Sequence, residues 1–238
     1  MTRSSSNETG YENPMYQNLI DIFTAPSAVF ARLVDKPTIL APLLILIMLV
    51  AVTQYAVFNL VDQRFLLEEL IESTPDLDPE AERAMRDFQG GGMRTVAMVG
   101  GLVFTVLMQV IHATYFLIVS LFSGLQIPFK RWLSFVCWSS MPRVLASLAG
   151  IVAIALAPDG RIGVFEMRPL SLLSLSGLDI DNPGLKQLAS NVDITLIWSL
   201  VLMVIGYSQW TGKPKLSGVA VVLAPFLLIG AIWIYFAV

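Results

Sequence analysis

The chain has 238 residues, of which 55% are hydrophobic and 14% charged, with a mean hydropathy of +0.70 and a formal net charge of −3. A soluble domain carries about a quarter charged residues, so this composition excludes one, and the clustering of charge between long apolar runs points to a polytopic membrane protein. The near-neutral balance gives no case for nucleic-acid binding. One cysteine (Cys137) and one histidine (His112) exclude an internal disulfide and leave too few ligands for a structural zinc site.

Residues 1–37 are polar overall but patterned. In PMYQNLIDIFTAPSAVFARLVDKP, Met15, Leu19, Ile22 and Phe23 share one helical face, and Val29, Phe30 and Leu33 form another. Pro26 suits the first turn of a second helix and ends the first. The spacing predicts two short amphipathic helices. They lie either on the cytoplasmic membrane surface or against the protein's own bundle. Because Glu8, Glu12, Asp21 and Asp35 precede the first apolar run, that run acts as the insertion signal and no cleavable leader is expected.

Five apolar runs follow, at about 38–59, 95–122, 132–157, 193–209 and 217–238, within a membrane domain of residues 38–238. Each approaches the roughly 20 residues needed to cross the hydrocarbon. At such lengths only a helix satisfies its own backbone in lipid, so the fold class is an all-α integral membrane protein, a five-span helical bundle. In the first long loop, VDQRFLLEELIE repeats leucines at helical spacing and is expected to extend the first span. Asp78 and Pro79 then start a second short helix, PEAERAMRDF, ended by Gly90–Gly92. RPLSLLSLSGL is expected to rest at the interface. Asn182 and Pro183 are expected to start a helix that runs straight into the fourth span.

The loops alternate in character. One side carries Arg3, Arg32, Lys36, Lys130, Arg131, Lys213 and Lys215, with only four acids, in short connections. The other carries seven basic residues among fourteen acids in much longer loops. Basic density in short loops sets orientation, so the N-terminus is expected in the cytoplasm and the C-terminus outside, in a cell inner membrane. Trp132, Trp210 and Trp233 near span ends fit interfacial anchoring.

The third span, WLSFVCWSSMPRVLASLAGIVAIA, holds Pro142 and Arg143. Arg143 lies 11 residues past Trp132, roughly 16 Å along a helix. A charge at that depth costs at least about 2.5 kcal/mol and marks a candidate functional site. Two structural readings compete: snorkelling toward the cytoplasmic headgroups, or a span split at Pro142 that leaves Arg143 near an interface. Pro142 frees the Trp138 carbonyl, and the Arg143 donors are one source of compensating hydrogen bonds. Ser139, Arg143, Ser147 and Gly150 form a polar, small-residue stripe suited to protein or water rather than lipid. On the second span, Thr105, Gln109 and His112 share a face at similar depth. Gln109, His112, Ser139, Arg143 and Ser147 therefore form the candidate intramembrane polar site. It is either a cavity for an ion, proton or lipid headgroup, or a set of interhelical hydrogen bonds. Asp193, at the outer end of the fourth span, is expected too far in depth to pair with Arg143. Ala97/Gly101, Ala146/Gly150 and Ala220/Ala224 permit close helix packing. No phosphate loop, nucleophile set or zinc-protease motif is present, so no catalytic residues, cofactor or metal are assigned.

The segment LIDIFTAPSAVFARLVDKPTILAPLLIL (Leu19–Leu46), the five spans and the Pro-bearing third span SSMPRVLASL together resemble the Ypt-interacting protein (Yip) domain family, in its bacterial branch, over roughly residues 16–237. The resemblance implies a five-span inner-membrane protein without known catalysis. Eukaryotic members are linked to small GTPases and membrane trafficking. The reading that follows is a non-enzymatic scaffold or accessory in membrane organisation or a transport complex. Its partners would be membrane lipids and a membrane protein or a second copy of itself. The alternative is a small transporter or lipid-handling protein using the intramembrane cavity.

Overall fold

The computed structural model describes residues 14–72, 74, 77–89 and 92–237. The expectations placed on Arg3, Glu8 and Glu12, and on Gly90 and Gly91 as helix terminators, lie outside the described residues.

The N-terminal segment forms α1 (Pro14–Thr24) and α2 (Pro26–Asp35), with Pro26 in the first turn of α2. Their apolar faces point into the protein. Ile22, Val29, Phe30 and Leu33 are fully buried. Arg32 ties the two helices together, donating from Nη2 to Asp21 Oδ2 at 2.6 Å and from Nε to Asn18 Oδ1 at 2.7 Å. Of the two placements open to this segment, the structure adopts packing on its own bundle.

The membrane domain begins with α3 (Leu40–Leu60), followed by α4 (Gln63–Glu72), α5 (Pro79–Gln89) and α6 (Met93–Phe122). Next come α7 (Phe129–Ser139), α8 (Arg143–Leu156), α9 (Leu172–Ser176) and α10 (Pro183–Asn191), and the chain closes with α11 (Ile194–Thr211) and α12 (Lys215–Ala237). Helices α3, α6, α11 and α12 are each long and apolar enough to cross a membrane, and α7 and α8, bent by 40° at the break between them, are so only as a pair, as a broken span or a re-entrant loop. Tertiary contacts order the passes. Near α1 and α2, Trp210 Nε1 at the end of α11 donates to the Phe30 carbonyl, and Lys213 Nζ donates to Ser123 Oγ just past α6. On the opposite face the end of α3 meets the chain beyond α8, where the Asp62 N–H donates to the Gly160 carbonyl. The side of α1 and α2 is called the near face below, and the other the far face.

Two helix junctions differ from expectation. Helix α4 does not extend α3. Val61 is extended (φ −93°, ψ 138°), and Asp62 Oδ1 accepts from the Arg64 and Phe65 N–H groups, starting a new helix. Nor does α10 run straight into α11. Asn182 caps α10 as read from the sequence, but Val192 is extended and Asp193 caps α11 afresh, accepting the Leu196 N–H on Oδ1 at 2.7 Å. In both places a short polar side chain satisfies amides that a continuous helix would have paired internally.

The best-packed region lies near α1 and α2 and is aromatic. Trp132, Phe135, Phe116 and Tyr207 stack or meet edge to face, with Phe30 against Phe135. Trp132 is fully buried here, and its Nε1 donates to Ser120 Oγ at 3.2 Å. It is a core residue rather than an interfacial anchor. Gly206 makes the approach possible: a Cβ there would lie 2.6 Å from Phe135 Cε2 and 2.9 Å from the Phe30 ring.

Candidate functional site

Helix α7 ends because Pro142 has no N–H to offer the Trp138 carbonyl. That carbonyl instead accepts the Met141 N–H at 3.2 Å, and the Arg143, Val144 and Leu145 N–H groups bond three residues back in a tight turn. The break therefore closes on its own backbone, and the Arg143 side chain does not supply those bonds. The guanidinium makes no hydrogen bond or ion pair among the described residues. It stands at the N-terminus of α8, 13 residues before Leu156, about 20 Å from the far end by helical rise.

The long connection between α8 and α11 folds back into the bundle. Asn182 Nδ2 donates to the Ala237 carbonyl, and Trp233 Nε1 donates to the Gly184 carbonyl, so α10 starts beside the end of α12. Asp193 follows only after α10 and precedes α11. Backbone bonds from Leu172 N to Val192 O and from Ile194 N to Leu170 O fasten it to the loop before α9. That loop reaches α8 itself: a Cβ on Gly150 would lie 2.8 Å from the Met167 carbonyl oxygen.

Two adjoining cavities result. The first, about 380 Å³, runs from the far-face residues Arg168 and Asn191 down to Ser147 and Arg143, with Thr53, Ser171 and Ser190 on its walls. The second, about 250 Å³, lies where α3 and α6 meet α8 and is lined by Leu46, Leu49, Val50, Phe104 and Met108, with Thr105 and Gln109 among them. Arg143, Ala146, Ser147 and Asp193 line both. Arg143 and Asp193 both line these cavities but, as expected from sequence, form no direct ion pair among the described residues. Asp193 Oδ1 is engaged by Leu196 N and Thr195 Oγ1, and Arg168 Nη1 donates to Asn191 Oδ1 at 2.7 Å. Thr53 Oγ1 is buried without a partner.

The sequence candidates divide. Arg143, Ser147 and Gln109 line cavity walls. Gln109 also crosses to the break, its Nε2 donating to Ser140 Oγ at 3.4 Å. Ser139 is fully buried in α7 with an unpartnered hydroxyl and is not on either wall. His112 stacks on Phe226 of α12, ring centroids 5.7 Å apart, and also lines neither cavity. Asp193, Arg168, Asn191 and Thr53 complete the polar walls and were not singled out as site residues from sequence. The far-face loop brings the first three in, and no local spacing announces such a fold-back. An unpaired guanidinium, small polar neighbours and a break in the helix make a site able to bind an anion or polar headgroup. Among the described residues no group of acids, histidines or cysteines could hold a metal ion.

A family model for the Yip1 domain matches residues 20–237. The chain is 27% identical over 212 residues to membrane protein YknW of Bacillus subtilis (strain 168), an alignment spanning 88% of this chain and 84% of that protein. No solved structure matches the chain. The matched region runs from within α1 to the end of α12 and encloses the break between α7 and α8, as the resemblance at Leu19–Leu46 implied: the chain belongs to the Yip1 domain family.

Proposed function

We propose that this Yip1-family membrane protein works by binding a ligand in the cavity at Arg143, as a non-enzymatic lipid-handling or transport accessory of a cell inner membrane. One observation carries the reading: Arg143 faces a cavity of about 380 Å³, lined by polar and apolar side chains alike, with no partner among the described residues. Arg143 is exposed rather than buried, so its guanidinium is open to an anion, and within a membrane a bound anion offsets the cost of the unpaired charge. Helices α1 and α2 bury Ile22, Val29, Phe30 and Leu33 in the bundle, while Met15, Tyr16 and Ile20 of α1 stay exposed.

The scaffold reading keeps one supporting feature. Helix α5 presents Glu80, Arg83, Arg86 and Asp87 to solvent and braces itself with an Arg86–Glu82 pair at 2.8 Å, a charged surface suited to a protein partner. The two roles separate by native mass spectrometry of gently solubilised wild type beside Arg143→Ala. Ligand binding predicts a small-molecule adduct on the wild type that the variant lacks. A protein partner held equally by both, with no adduct on either, would leave the scaffold role standing and remove the cavity from the function.

A further inference from the structure

The two cavities at Arg143 differ in chemistry, and their meeting point is narrow in composition. The far-facing one holds two arginines, Arg143 and Arg168, against one carboxylate, Asp193, so its fixed charge is positive. Arg168 is satisfied by a neutral amide and Asp193 by its own helix cap, which leaves both charges unneutralised by each other. The second cavity carries no charge beyond the shared Arg143 and Asp193, and five apolar side chains of α3 and α6 line it. One of these, Phe104, is 61% exposed on a helix long and apolar enough to span the membrane, so this cavity borders lipid. The first cavity also has Val57, Ile154, Val164, Met167 and Leu170 on its walls, so its positive charge sits beside apolar surface that continues into the second. A single ligand filling both must be anionic at one end and apolar at the other.

We propose that the joined cavities hold one anionic phospholipid, its phosphate-bearing headgroup on Arg143 and Arg168 and an acyl chain in the cleft between α3 and α6. This rests on the ligand-binding reading above and narrows it to a ligand class. The guanidinium fork suits phosphate oxygens, and the apolar cleft accepts methylenes that would otherwise remain among other lipids. Ser147 and Thr53 line the same wall, and the Thr53 hydroxyl has no partner within the described protein. The lipid enters sideways past Phe104, and the headgroup faces the water on the far side.

The test uses the full chain in detergent with three probes: dioleoylphosphatidylglycerol, dioleoylphosphatidylcholine and inorganic phosphate. Retention of each by native mass spectrometry is compared in wild type, Arg143→Ala, Arg168→Gln and Leu49→Phe. Leu49→Phe narrows the apolar cleft without touching charge. Burial of Cys137 serves as the check that each variant is folded, since its thiol resists alkylation in the native bundle. The expected result is phosphatidylglycerol held at least about tenfold better than phosphatidylcholine, and weakened about tenfold or more by Arg143→Ala. A smaller loss is expected for Arg168→Gln and for Leu49→Phe. Inorganic phosphate bound as well as phosphatidylglycerol, and untouched by Leu49→Phe, would overturn the lipid assignment while leaving an anion cavity. A cell-derived adduct that depends on Arg143 but is matched by none of the three probes would overturn it too, with ligand binding intact. Absence of any Arg143-dependent adduct would remove both.

Discussion

Arg143 is the residue on which the account turns, and its cost explains its surroundings. A mid-span guanidinium needs water, a counter-charge or a ligand. Here the nearest acid in the same cavity, Asp193, is occupied with capping α11. Gly206 illustrates the opposite kind of constraint, where only the absence of a side chain fits. A Cβ would press on Phe135 and Phe30, so Gly206→Ala should cost about 1–3 kcal/mol by overpacking. The measurement is the temperature at which buried Cys137 becomes reactive to a maleimide, which should fall in the variant and stay put for Gly230→Ala, where a Cβ would meet nothing within 4 Å. The charge and the proline were plain in the sequence. The fate of Trp132 was not, because a tryptophan at a span end reads as an anchor until α6 and α11 are seen to cover it.

At the scale of elements, the break between α7 and α8 is the device that places Arg143 in the cavity. Pro142→Ala restores an N–H that can bond the Trp138 carbonyl and favours a continuous helix. Hydrogen exchange across residues 138–145 should slow in that variant, and Arg143-dependent ligand retention should fall, because the guanidinium moves with the first turn of α8. Unchanged exchange would mean that packing of α7 on Thr38, through Ser134 Oγ and Trp138 Nε1, holds the bend without the proline. The helices themselves were legible, since long apolar runs need helical backbone in lipid. Their junctions were legible only in part. Asn182 and Asp193 are both good caps, and sequence alone does not say that each starts its own helix. The two-residue interruption at Val61 and Asp62 left apolar spacing intact and so was invisible to periodicity.

Across the whole molecule, the passes alternate so that α1 and α2 lie on one face and the end of α12 on the other. The fold class, an all-α membrane bundle, followed from composition and run length. The site was half visible: intramembrane Gln109, Arg143 and Ser147 stand out in any apolar run, whereas Arg168, Asn191 and Asp193 belong to a loop whose return into the bundle depends on contacts far apart in sequence. The proposed anion-binding cavity opens toward the far face, where Arg168 and Asn191 line it.

Ser147→Cys tests that most directly, because Ser147 lines both cavities and the natural thiol, Cys137, is buried. Sealed vesicles of known orientation are treated with membrane-impermeant thiosulfonates, one carrying a sulfonate and one a trimethylammonium. The account predicts labelling from the side opposite the N-terminal helices, faster for the sulfonate reagent, with that preference lost when Arg143→Ala is added. Labelling only from the near side, or none at all in a variant that remains folded, would contradict it.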